Sequence, residues 1–346
     1  MPPLECPLPL DRYPEVTLAH GDGGRLTHQL VDELFLAAFD DAALSERHDG
    51  AVLAPPSGRL AFTTDAYVVR PLFFPGGDIG RLAVFGTVND LAMCGARPLY
   101  LSAAFVLEEG LSIETLWRVA CSMAEAAREV GVRIVTGDTK VVERGRGDGL
   151  YVTTAGVGEL ASPAAIAPAA VRPGDAVLLS GDPGRHGVAV LAVREGLRLE
   201  PPLASDVAAL AAPVADLLAS GAEVHCLRDA TRGGLATALA EIAASAGLEL
   251  EVEEAAIPLS PGVRSACELL GIDPLYVASE GCFVAFVPER DEERALAALR
   301  SHAVSAKARR IGRVLAAPAG RAVARTALGT RRLLGLRSGA ALPRIC

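Results

Sequence analysis

The chain has 346 residues, of which 51% are hydrophobic, 22% charged and only 4% aromatic, and its formal net charge is −9. This composition excludes a disordered chain and provides enough apolar surface for about two domains. The acidic balance argues against nucleic acid as a partner, because nucleic-acid-binding proteins usually carry a basic excess.

Alternating strand-like and helix-like segments predict two α/β domains, each with one sheet covered by helices. Helices are predicted at 26–39, 78–94, 113–130, 187–195, 207–220 and 235–246, and strands at 60–69, 99–107, 134–142, 150–160, 175–180, 276–287 and 311–316. Residues 161–174 contain three prolines and much alanine, which indicates a domain boundary. The predicted organisation is an extension (1–19), an N-terminal domain (20–160), a C-terminal domain (161–334) and a flexible tail (335–346).

Neither membrane insertion nor secretion is expected. The most apolar stretch, residues 207–221, is interrupted by Pro213 and Asp216, whereas a span needs about 20 predominantly apolar residues. The first residues lack the basic region and apolar run of a signal peptide. The seven cysteines are odd in number and never spaced as Cys-x-x-Cys, which argues against a disulfide framework or a zinc site. We therefore expect a cytoplasmic protein.

Four aspartates stand out in short polar motifs: Asp65 in Thr-Thr-Asp, Asp90 in Val-Asn-Asp, Asp138 in Thr-Gly-Asp-Thr-Lys and Asp229 in Arg-Asp-Ala-Thr-Arg-Gly-Gly. Mg²⁺ takes hard oxygen ligands and normally bridges one or two carboxylates to substrate phosphates. Any one of these aspartates alone is more simply explained as a turn former or a helix cap. Four together favour a site for Mg²⁺ and substrate phosphates.

Two glycine-rich turns, at residues 20–24 and 231–234, would let backbone N–H groups approach phosphates closely. The first reads His-Gly-Asp-Gly-Gly and the second Thr-Arg-Gly-Gly. Neither matches a Walker loop, and a tight turn into a helix explains each of them equally well.

Lys140 and Glu280 are candidates for charge stabilisation and proton transfer. Lys140 lies two residues after Asp138 on a predicted strand, so both side chains point to the same face. It is either a stabilising charge near phosphates or an exposed lysine on a solvated surface. Glu280 enters an apolar segment, and partial burial would raise its pKa towards the range of a general acid or base.

The sequence ends at Cys346, after a tail of small residues without periodicity. Residues 335–346 span at most about 40 Å when extended and average about 20 Å when flexible. That reach suffices to carry a thiol between an outside partner and the protein's own cleft. Prenylation needs a cysteine four residues from the end, where this sequence has Pro343.

The sequence resembles the HypE family of hydrogenase maturation factors, within the superfamily of aminoimidazole ribonucleotide synthetase and selenophosphate synthetase. The resemblance covers about residues 20–346. It is carried by Pro-Leu-Phe-Phe-Pro-Gly-Gly-Asp-Ile-Gly (71–80), Gly-Asp-Thr-Lys-Val-Val (137–142), Arg-Asp-Ala-Thr-Arg-Gly-Gly (228–234) and Pro-Arg-Ile-Cys (343–346). It implies a two-domain PurM-like α+β fold and a homodimer, with ATP and Mg²⁺ bound near the interface of the N-terminal domains.

The resemblance also implies a reaction, the ATP-dependent dehydration of a carbamoyl group carried on Cys346. The product would be a thiocyanate, the cyanide donor for the iron of nickel–iron hydrogenase. The carbamoyltransferase HypF would supply the carbamoyl group, and a HypC–HypD complex would accept the cyanide.

Position by position, the resemblance assigns roles to individual residues. Nucleotide binding falls to Gly21, Gly23, Gly24, Asp65, Asn89, Asp90, Asp138 and Asp229, with Mg²⁺ on Asp65, Asp90 and Asp138. Proton handling falls to Lys140 and Glu280, and Cys346 is the carrier. The family's loop usually reads Gly-Ser-Gly-Gly, but this chain has Asp22 there, and a carboxylate would repel phosphate unless it faces a cation or solvent.

Two other classes stay open. A relative that acts on a free small molecule, such as an aminoimidazole ribonucleotide synthetase or a thiamine-phosphate kinase, would share the aspartates but have no use for Cys346. A non-catalytic scaffold would bind nucleotide and present its tail to partners.

Overall fold

The computed structural model describes residues 5–8, 13–160, 165–336 and 345–346. Its strands are β1 (Leu60–Tyr67), β2 (Phe73–Phe74), β3 (Gly77–Asp78), β4 (Ala96–Glu108), β5 (Arg133–Val142), β6 (Leu150–Leu160), β7 (Asp175–Leu179), β8 (Cys226–Asp229), β9 (Glu249–Glu253), β10 (Phe283–Pro288), β11 (Arg309–Leu315), β12 (Arg321–Arg325) and β13 (Arg331–Leu334). Its α-helices are α1 (Arg25–Gln29), α2 (Leu36–Phe39), α3 (Ala42–Ser45), α4 (Ile79–Met93), α5 (Ile113–Val130), α6 (Arg185–Arg194), α7 (Ala211–Ala219), α8 (Gly234–Ala246), α9 (Pro261–Leu270) and α10 (Glu292–Arg300). A π-helical segment, Leu30–Phe35, joins α1 to α2.

The first sheet has the strand order β1-β6-β4-β5, and helices α4 and α5 pack on one of its faces. The side chain of Ser112 caps α5 by accepting a hydrogen bond from the N–H of Thr115, and Gly131 ends the helix at a φ of 70°. Both ends match the sequence prediction, because an N-cap serine and a left-handed glycine are strong boundary signals.

Helix α4 lies between the two halves of the molecule. It packs on β1 and β6 of the first sheet and also contacts α7 and β8 of the second half. Thirteen of its fifteen residues are buried. A helix that is apolar on every side belongs in the interior of a protein, which accounts for the absence of a polar stripe. Asp90, one of the two residues of α4 that are not fully buried, therefore faces the junction between the two halves.

The second sheet has the order β13-β12-β9-β11-β7-β10-β8, antiparallel except for the parallel pair β12 and β9. Strands β7 and β10 are buried along their whole length, since helix α8 covers one face and helices α7 and α10 cover the other. The predicted two-domain α/β class is confirmed. The predicted domain boundary at residue 161 falls on residues 161–164, which lie outside the described residues.

Two predicted elements are wrong at the places that matter for the site. The helix predicted from residue 207 begins only at Ala211, and residues 207–210 are irregular. The strand predicted over 276–287 begins only at Phe283, preceded by a 3-10 turn, Pro274–Tyr276, and an irregular segment through Glu280. These two irregular segments contact each other, so their backbone groups are satisfied by tertiary hydrogen bonds that a local pattern cannot register.

Strands β9 and β12, together with helices α9 and α10, were not predicted. Glutamates alternate with apolar residues in β9, two arginines flank three buried apolar residues in β12, and the two strands pair directly with each other. Within the described part of the chain, no helix is both long enough and apolar enough to cross a membrane.

Candidate active site

A cleft of about 570 Å³ opens between β1 and α4 on one side and β8 and the turn before α8 on the other. The sequence-predicted residues that line it are Asp65, Asp90, Asp229, Glu280 and Cys346. These five positions span almost the whole sequence. The fold therefore brings together most, but not all, of the predicted site.

Glu280 is fully enclosed at the base of this cleft. Its Oε1 is buried and has no hydrogen-bond partner among the described residues. Burial, followed by the nearby charges of Asp229 and Asp206, raises the pKa of Glu280 well above its usual value. A buried carboxylate with an open acceptor can take a proton from a bound donor, and its raised pKa makes it a stronger base than an exposed glutamate.

Asn89 holds the irregular segment in front of Glu280. Its side-chain N–H₂ group donates to the backbone oxygens of Ala208 at 3.0 Å and Glu280 at 3.4 Å. Its Oδ1 accepts from the N–H of Leu210 at 2.7 Å. The sequence assigned Asn89 to nucleotide binding, but its amide is engaged with backbone groups across the junction of the two halves. Asn89 thereby joins α4 to the Glu280 segment, and its assignment to nucleotide binding stays a prediction.

The three aspartates of the cleft repel one another. Burial and the neighbouring Asp90 raise the pKa of Asp229 to about 7. Burial also raises the pKa of Asp90, although the hydroxyl of Thr63 donates to its carboxylate at 2.9 Å. Asp65 is paired with Arg232 at 3.2 Å. Added positive charge in this cleft would relieve the crowding of carboxylates.

The described residues contain no group of three or more His, Cys, Asp or Glu side chains arranged to hold a metal ion. A closed protein cage for a cation is therefore not formed by this part of the chain. Mg²⁺ is usually bound by one or two carboxylates together with substrate phosphates. Asp65 and Asp90, which line the same cleft, could supply those carboxylates.

Cys346 enters the same cleft from the tail. Its neighbour Ile345 is 3% exposed and packs into the hydrophobic core of the N-terminal half. Cys346 itself is partly buried, and burial together with the charge of Glu280 raises the pKa of its thiol. The predicted flexibility of the tail falls mostly on residues 337–344, which lie outside the described residues.

Asp138 and Lys140 lie elsewhere, on the exposed edge strand β5. The Lys140 ammonium contacts the Asp138 carboxylate at 3.1 Å, and the side chains are 65% and 64% exposed. They share a strand face, as predicted, but do not line the cleft that holds Glu280. Asp138 instead borders a second cavity of about 560 Å³, together with Gly23, Phe35 and Phe105.

The glycine-rich loop at 21–24 lies against the same strand. A Cβ on Gly21 would be 2.6 Å from the backbone nitrogen of Val141, so only glycine permits this approach. The carboxylate of Asp22 accepts a hydrogen bond from the N–H of Gly24 at 2.7 Å. The carboxylate that replaces the family's serine therefore satisfies a backbone group of its own loop.

Asp65 and Asp138 occupy nearly the same level of the first sheet at its two opposite edges. Across the sheet Asp65 pairs with Thr154, Thr154 with Ala103 and Ala103 with Gly137, the residue before Asp138. Three strand spacings correspond to about 14 Å, and the one-residue offset turns the Asp138 side chain to the opposite face. A single chain therefore does not bring Asp65, Asp90 and Asp138 to one ion.

Two residues of the site carried no signal in the sequence. Asp206 accepts hydrogen bonds from the Glu280 segment, 74 residues away, and His186 contacts the backbone of Ile345, 159 residues away. Each side chain acts through a partner that is remote in sequence, so only the tertiary structure identifies it.

Each half of the chain matches a known protein-family domain. Residues 47–160 match the N-terminal domain of AIR synthase related proteins, and residues 172–325 match their C-terminal domain. The fold and the cleft at the junction thus define a two-domain protein of the AIR synthase related class.

Closer relatives narrow this class. Carbamoyl dehydratase HypE of Cupriavidus necator is 53% identical over 96% of this chain and 95% of its own length. A crystal structure of hydrogenase maturation protein HypE in complex with ATP has a TM-score of 0.91 at 49% identity, covering 95% of this chain and 99% of that one. A chain from a crystal structure of a HypE–HypF complex has a TM-score of 0.77 at 44% identity, covering 90% and 99%. The chain belongs to the HypE family of hydrogenase maturation proteins, which confirms the resemblance drawn from the sequence.

Proposed function

We propose that this protein dehydrates an S-carbamoyl group on Cys346 to a thiocyanate at the expense of ATP, as a step in the maturation of nickel–iron hydrogenase. One observation carries the proposal: the unpartnered Oε1 of Glu280 lies in the cleft that also receives Cys346. The N–H₂ group of a carbamoyl adduct is the kind of donor that this oxygen lacks. Relatives named carbamoyl dehydratase support the same reaction.

The chemistry divides into two steps. The carbamoyl oxygen attacks the γ-phosphorus of ATP, ADP leaves, and one N–H proton is released. The resulting phosphate ester is a good leaving group, so loss of the second N–H proton with departure of phosphate forms the C≡N bond. Glu280 accepts the proton in the step that forms the triple bond, since its open Oε1 lies in the cleft and its raised pKa makes it a stronger base than an exposed glutamate.

The state of the thiol indicates where loading takes place. In the cleft the pKa of Cys346 is raised by burial and by Glu280, so the thiol is protonated there and a poor nucleophile. Carbamoylation of Cys346 therefore occurs outside the cleft, on a donor enzyme. HypF is the proposed donor, supported by the structure of a HypE–HypF complex of relatives. A HypC–HypD complex is the proposed cyanide acceptor, on the family resemblance alone.

ATP is the proposed co-substrate, supported by the relative crystallised in complex with ATP. The carboxylates of Asp65 and Asp90 suit a divalent cation that is completed by phosphate oxygens, with Asp138 as the third proposed ligand. Mg²⁺ would neutralise phosphate charge there. Gly21, Gly23 and Gly24 are retained as the proposed phosphate loop beside Asp138.

A homodimer is proposed to bring Asp138 and Lys140 on β5 of one copy to the cleft of the other copy. The face of the first sheet opposite to α4 and α5 leaves Phe62 71% exposed on edge strand β1. Pairing of this face with a second copy would cover that ring and set β5 of one copy near β1 of the other. Asp138 and Lys140 would then act on the nucleotide and carbamoyl oxygen held by the partner copy. We also propose a cytoplasmic location, since all seven cysteines are free thiols.

Intact-protein mass spectrometry tests the function. The protein is incubated with carbamoyl phosphate, ATP, Mg²⁺ and HypF, and the adduct on Cys346 is weighed. A carbamoyl adduct that loses the mass of one water only when ATP is present supports the dehydratase. No adduct on Cys346 favours a small-molecule kinase or synthetase, whereas a carbamoyl adduct that never loses water favours a non-catalytic carrier.

A further inference from the structure

His186 lies at the point where the tail enters the molecule. It is in the first turn of α6, is 0% exposed, and its Nε2 is 2.7 Å from the backbone oxygen of Ile345. The ring packs edge-on against Phe74, with centroids 5.2 Å apart. Residues of both halves thus hold the imidazole ring in place, and its Nε2 atom points to the backbone of the tail.

The partners of the two ring nitrogens, Ser205 and the Ile345 carbonyl, define which nitrogen carries the proton. The Oγ of Ser205 accepts a hydrogen bond from the N–H of Val207 at 3.1 Å and lies 2.8 Å from Nδ1 of His186. The carbonyl oxygen of Ile345 can only accept, so Nε2 must be protonated; in the neutral ring Nδ1 is then the acceptor, and the Ser205 hydroxyl donates to it. The ring proton then resides on Nε2 and is donated to the carbonyl of Ile345. Burial lowers the pKa of His186 to about 4, which keeps the ring neutral and this polarity intact.

We propose that His186, oriented by Ser205, is the positioning residue that latches the carrier tail and so sets Cys346 against Glu280. Burial of the apolar Ile345 side chain holds the end of the tail against the core. The hydrogen bond from His186 to the Ile345 carbonyl fixes which tail residue occupies this position. When the tail leaves, the buried Nε2–H loses its acceptor, which favours return of the tail. The inference rests on the proposed role of Cys346 as carrier.

The latch is tested by the alkylation rate of Cys346 with iodoacetamide, measured without ATP or partner proteins. Cleavage after Lys307 yields the peptide 308–346, in which Cys346 is the sole cysteine. His186→Phe keeps a ring and removes the donor, so we expect Cys346 to be alkylated about tenfold faster, equivalent to about 1.4 kcal/mol. His186→Gln retains an N–H donor and should restore part of the protection.

Two internal comparisons separate the latch from general loosening. Cys267 and Cys282 are buried in the second half and report global destabilisation in the same sample. His225→Gln is the matched control, since His225 is a buried histidine bonded to Asp175 and remote from the tail. Equal alkylation of Cys346 in His186→Phe and wild type, with both buried cysteines still protected, overturns the proposal. If His186→Phe fails to fold, Ser205→Ala replaces it, with about a threefold rise expected and an unchanged rate counting against the latch.

A second readout follows the reaction itself. In His186→Phe the transfer of carbamoyl to Cys346 by HypF should be at least as fast as in wild type, while dehydration of the loaded protein slows about tenfold. A merely structural defect would slow both steps. Absence of any adduct on wild-type Cys346 would refute the proposed function, whereas the alkylation result would still decide on the latch.

Discussion

The carboxylate of Asp206 accepts hydrogen bonds from the backbone N–H groups of Glu280, at 3.3 Å, and of Gly281, at 3.2 Å. A Cβ at Gly281 would lie only 1.9 Å from the backbone oxygen of Asp206, so the two segments approach as closely as glycine allows. Burial raises the pKa of Asp206 to about 6. Asp206 thus fixes the Glu280 backbone, and its charge contributes to the raised pKa of the Glu280 carboxyl.

Asp206→Asn should shift the pH dependence of dehydration. Removing the negative charge lowers the pKa of Glu280, so the ionised base persists to lower pH. The acid limb of the rate profile should therefore move to lower pH by up to about one unit. Asp182→Asn is the matched control, because Asp182 binds the N–H of Ser260 and makes no hydrogen bond to the Glu280 segment. Superimposable profiles for Asp206→Asn and wild type would contradict the assignment.

Glu280→Gln should separate carbamoylation from dehydration. The substitution preserves shape and removes the base, so we expect normal ATP binding, normal loading and a dehydration rate lower by roughly 10²–10⁴-fold. Intact mass should show the S-carbamoyl form accumulating, heavier than the thiocyanate by one water. Glu241→Gln is the control, since Glu241 lines the same cleft but is half exposed and paired with Arg228. Wild-type dehydration by Glu280→Gln, or loss of ATP binding, would show the assignment to be wrong.

Cys346→Ala should abolish both adducts while the fold and ATP binding persist, because residues at the end of a tail contribute little to a domain core. Some loss of stability is expected, since Cys346 packs against the same core as Ile345. Cys94→Ala is the matched control. Cys94 is an exposed thiol that lines the same cleft, so it tests whether any thiol there can serve. ATP-dependent thiocyanate formation in Cys346→Ala would refute the carrier role.

Asp65→Ala and Asp138→Ala should each weaken Mg²⁺–ATP binding in calorimetry, because each removes a hard ligand from the phosphates. If a site uses Asp65 of one copy and Asp138 of the other, mixing the two variants should recover about a quarter of wild-type activity, since half of the dimers hold one intact site. Recovery requires that the subunits exchange, which light scattering with a tagged copy verifies. No recovery after exchange would place both aspartates in one chain's site.

Local patterns determined the elements whose signals are local. Helix α5 was predicted over 113–130 and has those bounds in the structure, where Ser112 caps its start and Gly131 ends it. Strands β1, β4, β5 and β6 followed from runs of β-branched and apolar residues. The acidic positions were also visible, because each aspartate stands in a short polar motif such as Gly-Asp-Thr-Lys at 137–140. Hydrogen bonds between segments remote in sequence leave no local pattern. For this reason residues 207–210 were wrongly predicted as helix and residues 277–282 as strand.

The sequence by itself determined the two-domain α/β class, the family, and the residue types required for phosphate and proton chemistry. Only the tertiary structure decided which of them meet. Strand order put Asp65 and Asp138 at opposite edges of one sheet, because β6 and β4 pair between β1 and β5. Packing of the two halves brought the Asn89 amide to the backbone of Glu280, and His186 to the backbone of Ile345. These outcomes depend on burial and on hydrogen bonds between segments far apart in the chain, and such contacts exist only once the whole core has formed.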